Sequence, residues 1–180
     1  MDKYTIRKAM KEKRLLLDKE TFSLHNQMIF NKVLSHPVYQ SSNMIGIYVS
    51  LPNEIDTHNL ITETLKTKRV CVPKIENNLM NFYEIHSLDE LQPGYFDVLE
   101  PITNSLILPQ DIGLMITPLL AYDKRLYRVG YGKGFYDKYF SSGFNGYKLG
   151  LAFSFQYIDQ IRIDQYDCCL DEIIIEDIEL

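Results

Sequence analysis

The sequence predicts an α/β fold: a single domain, residues 1–180, of three layers (α/β/α) on an open, mostly parallel central sheet. Short apolar runs rich in β-branched residues recur at Ile45 to Val49, Val70 to Val72, Leu114 to Thr117, Leu149 to Ala152 and Ile173 to Ile175. Strands apolar at every position are buried on both faces, as in parallel sheets that helices cover on both sides. Segments of helical spacing lie between them, at Thr57 to Thr67 and Phe135 to Phe140, giving the strand–helix alternation of layered α/β domains.

The chain opens on an amphipathic segment, Lys3 to Leu17, with apolar residues at Ile6, Met10, Leu16 and Leu17. Lys3, Arg7, Lys11 and Arg14 fall three or four residues apart and therefore form a cationic stripe on one face of the predicted helix. Such a stripe is ordinarily solvated surface. A second helix is predicted from Thr21 to Leu34, stopped by Ser35-His36-Pro37 because proline disfavours the helical conformation before it. Leu79 to Ile85 suits a hairpin or an edge strand, while Gln92-Pro93-Gly94 and Pro101 to Pro109 suggest surface loops.

Bulk properties exclude some function classes. At 180 residues with 19 basic and 24 acidic side chains, the chain has a net charge of -5 and no overall field suited to nucleic acid. No apolar run approaches the length of a membrane span and Met1-Asp2-Lys3 begins no apolar signal segment, so a cytoplasmic protein is expected. Cys71, Cys168 and Cys169 make no CxxC spacing and are expected to be buried or idle thiols. His25, His36, His58 and His86 show no ligand spacing, and neither zinc nor histidine catalysis is expected.

Chemistry concentrates between Pro118 and Asp137, where Gly130, Gly132 and Gly134 alternate with Tyr131 and Lys133 ahead of the helical segment. Glycines let an anion approach main-chain N–H groups, and a helix start favours negative charge. Arg128 and Lys133 would add full positive charges, with Asp137 holding Mg²⁺ or clamping a cation. The spacing is neither GxxxxGK[ST] nor GxGxxG. On pattern alone, a glycine-rich turn with an Arg128–Asp137 surface ion pair explains the residues as well as a phosphate site does.

Together these residues resemble the signature of the 5-formyltetrahydrofolate cyclo-ligases, or methenyltetrahydrofolate synthetases. That signature is a proline, an apolar stretch, an aromatic-Asp pair and Arg-Leu-Gly-x-Gly-x-Gly-Tyr-Tyr-Asp-Arg. Tyr122-Asp123 and Arg128 to Lys138 follow it, with Val129, Phe135 and Lys138 as replacements. Lys3-x-x-Ile6-Arg7, Tyr48-x-Ser50-x-x-x-Glu54-x-x-Thr57, Glu100-Pro101, Gly150-Leu151-Ala152 with Gln156, and Asp171-Glu172-Ile173-Ile174 extend the resemblance over nearly the whole chain. Leu126 departs from it, since many relatives carry glycine there.

The resemblance implies that 5-formyltetrahydrofolate and ATP give 5,10-methenyltetrahydrofolate, ADP and phosphate through a phosphorylated formyl (imidate) intermediate. It implies ATP contacts from Lys3, Arg7, Arg128, Gly130, Tyr131, Gly132, Lys133, Gly134, Phe135, Tyr136 and Asp137, with Arg128, Lys133 and Tyr136 catalytic. Ser50, Glu54 and Tyr136 would contact the folate, possibly polyglutamylated, and Asp137 and Asp171 would hold Mg²⁺. Tyr83, Tyr95, Phe96 and Phe153 are stacking candidates, each better explained as core packing. A monomer acting on small molecules, with no nucleic-acid or membrane partner, is expected. The rival readings are another ATP-dependent enzyme on the same fold, such as a kinase, a sugar-phosphate isomerase, and a non-catalytic folate-sequestering module.

Overall fold

The structure is a computed structural model and describes residues 2–177. Its helices are α1 Lys3–Leu15, α2 Lys19–Ser35, α3 Pro37–Ser41, α4 His58–Leu65 and α5 Phe135–Phe140. The strands are β1 Met44–Ile47, β2 Arg69–Glu76, β3 Leu79–Ile85, β4 Leu91–Pro93, β5 Leu99–Pro101, β6 Leu106–Ile107, β7 Leu114–Thr117, β8 Ala121–Tyr122, β9 Arg128–Val129, β10 Tyr147–Leu151 and β11 Glu172–Ile174.

Seven strands form the central sheet in the order β11-β10-β7-β1-β2-β3-β6. Pairings from β11 to β2 are parallel, and β3 and β6 are antiparallel additions. The expected open, mostly parallel sheet is therefore present. Alternate residues of one strand feed opposite cores, as the two-residue period of a strand requires. Leu114 and Ile116 join Ile29, Val33, Leu60 and Ile61 of α2 and α4 on one face. Met115 packs with Phe82, Tyr139 and Phe140 on the face that α5 covers.

Local signals explain most boundaries. Asp2 and Asp18 accept hydrogen bonds from the amides of Thr5 and Thr21 at 2.8 and 2.9 Å, closing the N-termini of α1 and α2. The proline that stops α2 also starts α3, where its missing N–H is harmless. Helix α1 ends at Leu15, short of the predicted Leu17, with Leu16 as its C-cap. Leu79 to Ile85 does form a hairpin with β2, turned by Asn77 and Asn78 in left-handed conformations (φ 50° and 62°) that suit asparagine. The segments expected as surface loops contain short ladders instead: β4 pairs with β5, and β6 forms the sheet edge beside β3.

From β1 the chain moves outward through β2, β3 and β6, then returns to place β7 on the other side of β1. Loops leaving the carboxyl ends of β1 and β7 therefore run in opposite directions, and a crevice opens where they part.

Candidate active site

That crevice is a cavity of about 900 Å³, near the top of the range for small-molecule sites. Tyr48 to Val49 and Leu51 to Glu54 line it from beyond β1, and Pro118 from beyond β7. Helix α1 contributes Lys3, Arg7, Lys11 and Arg14, and residues 128–137 contribute the glycine loop. Six cations (those four with Arg128 and Lys133) meet five carboxylates (Glu54, Glu100, Asp137, Asp164 and Asp167) in a chain whose net charge is -5. Basic charge is thus concentrated here.

The cationic stripe of α1 faces this cavity because its apolar side, Ile6 and Met10, is buried with Leu120, Ala121 and Val129 around β8 and β9. Arg7 Nε donates to the Gly130 carbonyl at 2.8 Å. Its guanidinium lies against Gly132, where φ is +102° and an added Cβ would stand 3.2 Å from Cζ. Glycine is required there by conformation, and a side chain would crowd the arginine. Lys3 Nζ binds Asp167 at 2.6 Å, so in this structure the predicted phosphate contact is neutralised by a carboxylate. Arg14 is buried, donating to the Leu119 carbonyl at 2.6 Å and to the Tyr131 hydroxyl at 2.9 Å.

In the glycine loop, Gly134 (φ +67°) is the N-cap of the six-residue α5. The Arg128–Asp137 pair exists, with Nη1 3.2 Å from Oδ1, but it is not a surface pair: the arginine side chain is 5% exposed. The amide of Cys168 also donates to Asp137 Oδ1, at 3.1 Å. Arg128 lies 5.9 Å from the Tyr136 ring centroid and Lys133 Nζ lies 5.8 Å from that of Phe96. Burial pushes the Tyr136 phenol above its ordinary range, with the Glu54 charge acting in the same direction, so the phenol is neutral at neutral pH. Tyr131 and Phe135 also line the cavity.

Glu54 is buried. One oxygen accepts from the Leu51 amide at 2.7 Å and the other from the Tyr131 hydroxyl. Ser50 does not reach the cavity lining: its Oγ accepts from the Thr57 amide at 3.0 Å and its own amide donates to Thr57 Oγ1. In this structure Ser50 braces the start of α4.

Asp171 is likewise absent from the lining. It is exposed and accepts from the Lys148 amide at 2.8 Å, between β10 and β11. Of the stacking candidates, Tyr95 and Phe96 line the cavity, Phe153 is fully buried in the core and Tyr83 lies outside the lining. Cys71 is buried, and desolvation pushes its thiol above the ordinary range. Cys169 is exposed. Three cavity acids, Glu100, Asp164 and Asp167, were not singled out as site residues from the sequence. Glu100 stands in a quoted block, whereas nothing local marks Asp164 or Asp167.

A sequence profile described as the 5-formyltetrahydrofolate cyclo-ligase family matches residues 1–176. This chain belongs to that family. Among named 5-formyltetrahydrofolate cyclo-ligases, the mouse protein is 29% identical over 96% of this chain and 92% of its own length. The Mycoplasma genitalium protein is 30% identical over 97% and 98%. The NMR structure of the Aquifex aeolicus 5,10-methenyltetrahydrofolate synthetase is similar with a TM-score of 0.87 and 31% identity, covering 96% of this chain and 89% of that one.

Within the cyclo-ligase signature, several residues are scaffold. Asp123 is fully buried and accepts from the amides of Arg125 (2.9 Å) and Ile161 (3.0 Å) and from the Arg125 guanidinium at 2.7 Å. Leu126, which departs from the resemblance noted in the sequence, adopts φ +66°. Its side chain packs on the α5-side core, which offsets the strain of that conformation.

Proposed function

We propose that this protein is an ATP- and Mg²⁺-dependent 5-formyltetrahydrofolate cyclo-ligase that forms 5,10-methenyltetrahydrofolate, ADP and phosphate through a phosphorylated formyl intermediate. Supporting this reading most directly, one cavity joins a glycine loop and six cations, suited to a triphosphate, to a buried carboxylate suited to a pterin.

On this reading the loop amides of residues 130–134, with Lys133, Arg128, Arg7 and Lys3, hold the phosphates. The formyl oxygen attacks the γ-phosphorus as the bond to ADP breaks; N10 then closes on the activated carbon, the carbon–oxygen bond breaks to release phosphate, and the N10 proton is lost to solvent. Phosphoryl transfer depends on alignment and charge neutralisation. Arg128, Lys133 and Tyr136 stand around the transferring group: two supply positive charge and the neutral phenol supplies a hydrogen bond. Glu54 orients the folate by accepting from its N–H groups.

Carboxylate oxygens are the donors Mg²⁺ takes from proteins, and Asp137 and Asp167 both line the cavity. We assign the metal to this pair rather than to Asp171, with Lys3 transferring from Asp167 to phosphate. The ion would neutralise phosphate charge during transfer.

The test is spectrophotometric. With ATP and Mg²⁺, the purified protein converts 5-formyltetrahydrofolate to a product absorbing at longer wavelength through its conjugated methenyl bridge, and both ATP and folate are required. Binding of both ligands without an absorbance change would favour a sequestering protein, and turnover of ATP without the folate would favour another ATP-dependent enzyme.

A further inference from the structure

One side chain joins the two halves of the cavity. Tyr131 is in the glycine loop, yet its hydroxyl donates to Glu54 Oε1 and accepts from Arg14 Nη1 at 2.9 Å. Lys11 Nζ is 5.7 Å from the centroid of its ring. Glu54 Oε2 is committed to the Leu51 amide at 2.7 Å. The acceptor assigned to the folate is therefore engaged by a residue whose backbone is assigned to the nucleotide.

We infer that Tyr131 is a latch between the two ligand subsites, released when the folate takes Glu54 or when the glycine loop closes on the triphosphate. The inference rests on the cyclo-ligase reading of the cavity. A folate N–H aimed at Glu54 Oε1 competes with the phenol for one acceptor. Wrapping residues 130–134 around phosphate carries Tyr131 along, which also pulls the phenol from Glu54. Although the Tyr131 residue is 41% exposed, its hydroxyl is enclosed between Glu54 and Arg14, and desolvation there, then the Glu54 charge, push the phenol above its ordinary range, so it remains a protonated donor at neutral pH. The bond is broken once, by whichever ligand arrives first, and the second ligand meets a released loop. The two ligands then bind with positive coupling, and coupling of this kind is reciprocal. Tyr131 acts here as a positioning residue.

Calorimetry with a non-hydrolysable ATP analogue plus Mg²⁺, and with 5-formyltetrahydrofolate, measures this without turnover. In the wild type each ligand binds about tenfold more tightly in the presence of the other. Tyr131→Phe keeps the ring and removes the hydroxyl; each ligand alone then binds more tightly than to wild type, and the coupling falls to about twofold or less. A variant that keeps the wild-type coupling overturns the latch. So does a wild type that binds both ligands independently, a result that leaves the cyclo-ligase reading intact. A wild type that binds neither overturns that reading and the latch with it. Should Tyr131→Phe not fold, hydrogen exchange on the native protein decides: folate alone speeds exchange of the amides of residues 130–134, and unchanged or slower exchange overturns the latch.

Discussion

Lys133 and Glu54 share a cavity, and the proposed function gives them opposite tasks, phosphate and folate, which truncating each would separate. On that proposal Lys133→Ala removes a charge-assisted contact to phosphate, an interaction whose loss weakens binding by roughly thirtyfold. The affinity for the ATP analogue falls by that factor while folate affinity changes less than about threefold, as read by calorimetry. Glu54→Ala does the reverse, weakening the folate without weakening the nucleotide analogue. Equal losses in both affinities would refute the division of the cavity. Sequence pattern reached these two residues because each lies in a compact block. It also put forward Ser50 and Asp171, whose blocks match equally well but whose side chains in this structure bond to the amides of Thr57 and Lys148. It put Arg14 in the cationic stripe without assigning it to the site, and it passed over Asp164 and Asp167, which only the tertiary fold brings to the cavity.

At the scale of elements, strands of four or more apolar residues were legible: β7 lies at its expected limits and β1 within two residues of them. The two- and three-residue ladders of β4, β5, β6, β8 and β9 are too short to impose a periodicity, and long-range pairing creates them. The entry into β10 depends on close backbone approach. A Cβ on Gly146 would stand 2.3 Å from the Ile112 carbonyl oxygen and 2.8 Å from that of Gly113. Both obstacles are main chain, which cannot rotate away. Gly146→Ala is expected to cost about 3 kcal/mol, lowering the melting temperature by about 6–12 °C. An unchanged thermal transition by circular dichroism would show that β10 enters the sheet differently.

For the whole molecule, Asp123 links the turn after β8 to the segment at Ile161. Burial raises its carboxyl's proton affinity, but the Ile161 amide and the Arg125 side chain and amide outweigh burial and hold the pKa below the ordinary 3.8. A carboxyl depressed in the folded state stabilises the fold above its unfolded pKa, and that contribution is lost as pH falls through the folded value. Wild-type stability therefore declines below about pH 4. In urea titrations Asp123→Asn is less stable than wild type by about 2 kcal/mol at pH 6, and the gap narrows at pH 3. Parallel curves for the two proteins would exclude Asp123 as a source of the acid dependence.

The ion pair of Lys3 with Asp167 closes the site with residues 164 positions apart in the chain. During synthesis the glycine loop and α1 leave the ribosome well before Asp167 does. A nascent chain halted before that residue has neither the counter-charge for Lys3 nor the second carboxylate assigned to the metal. On that assignment the site is complete only once residue 167 has been made.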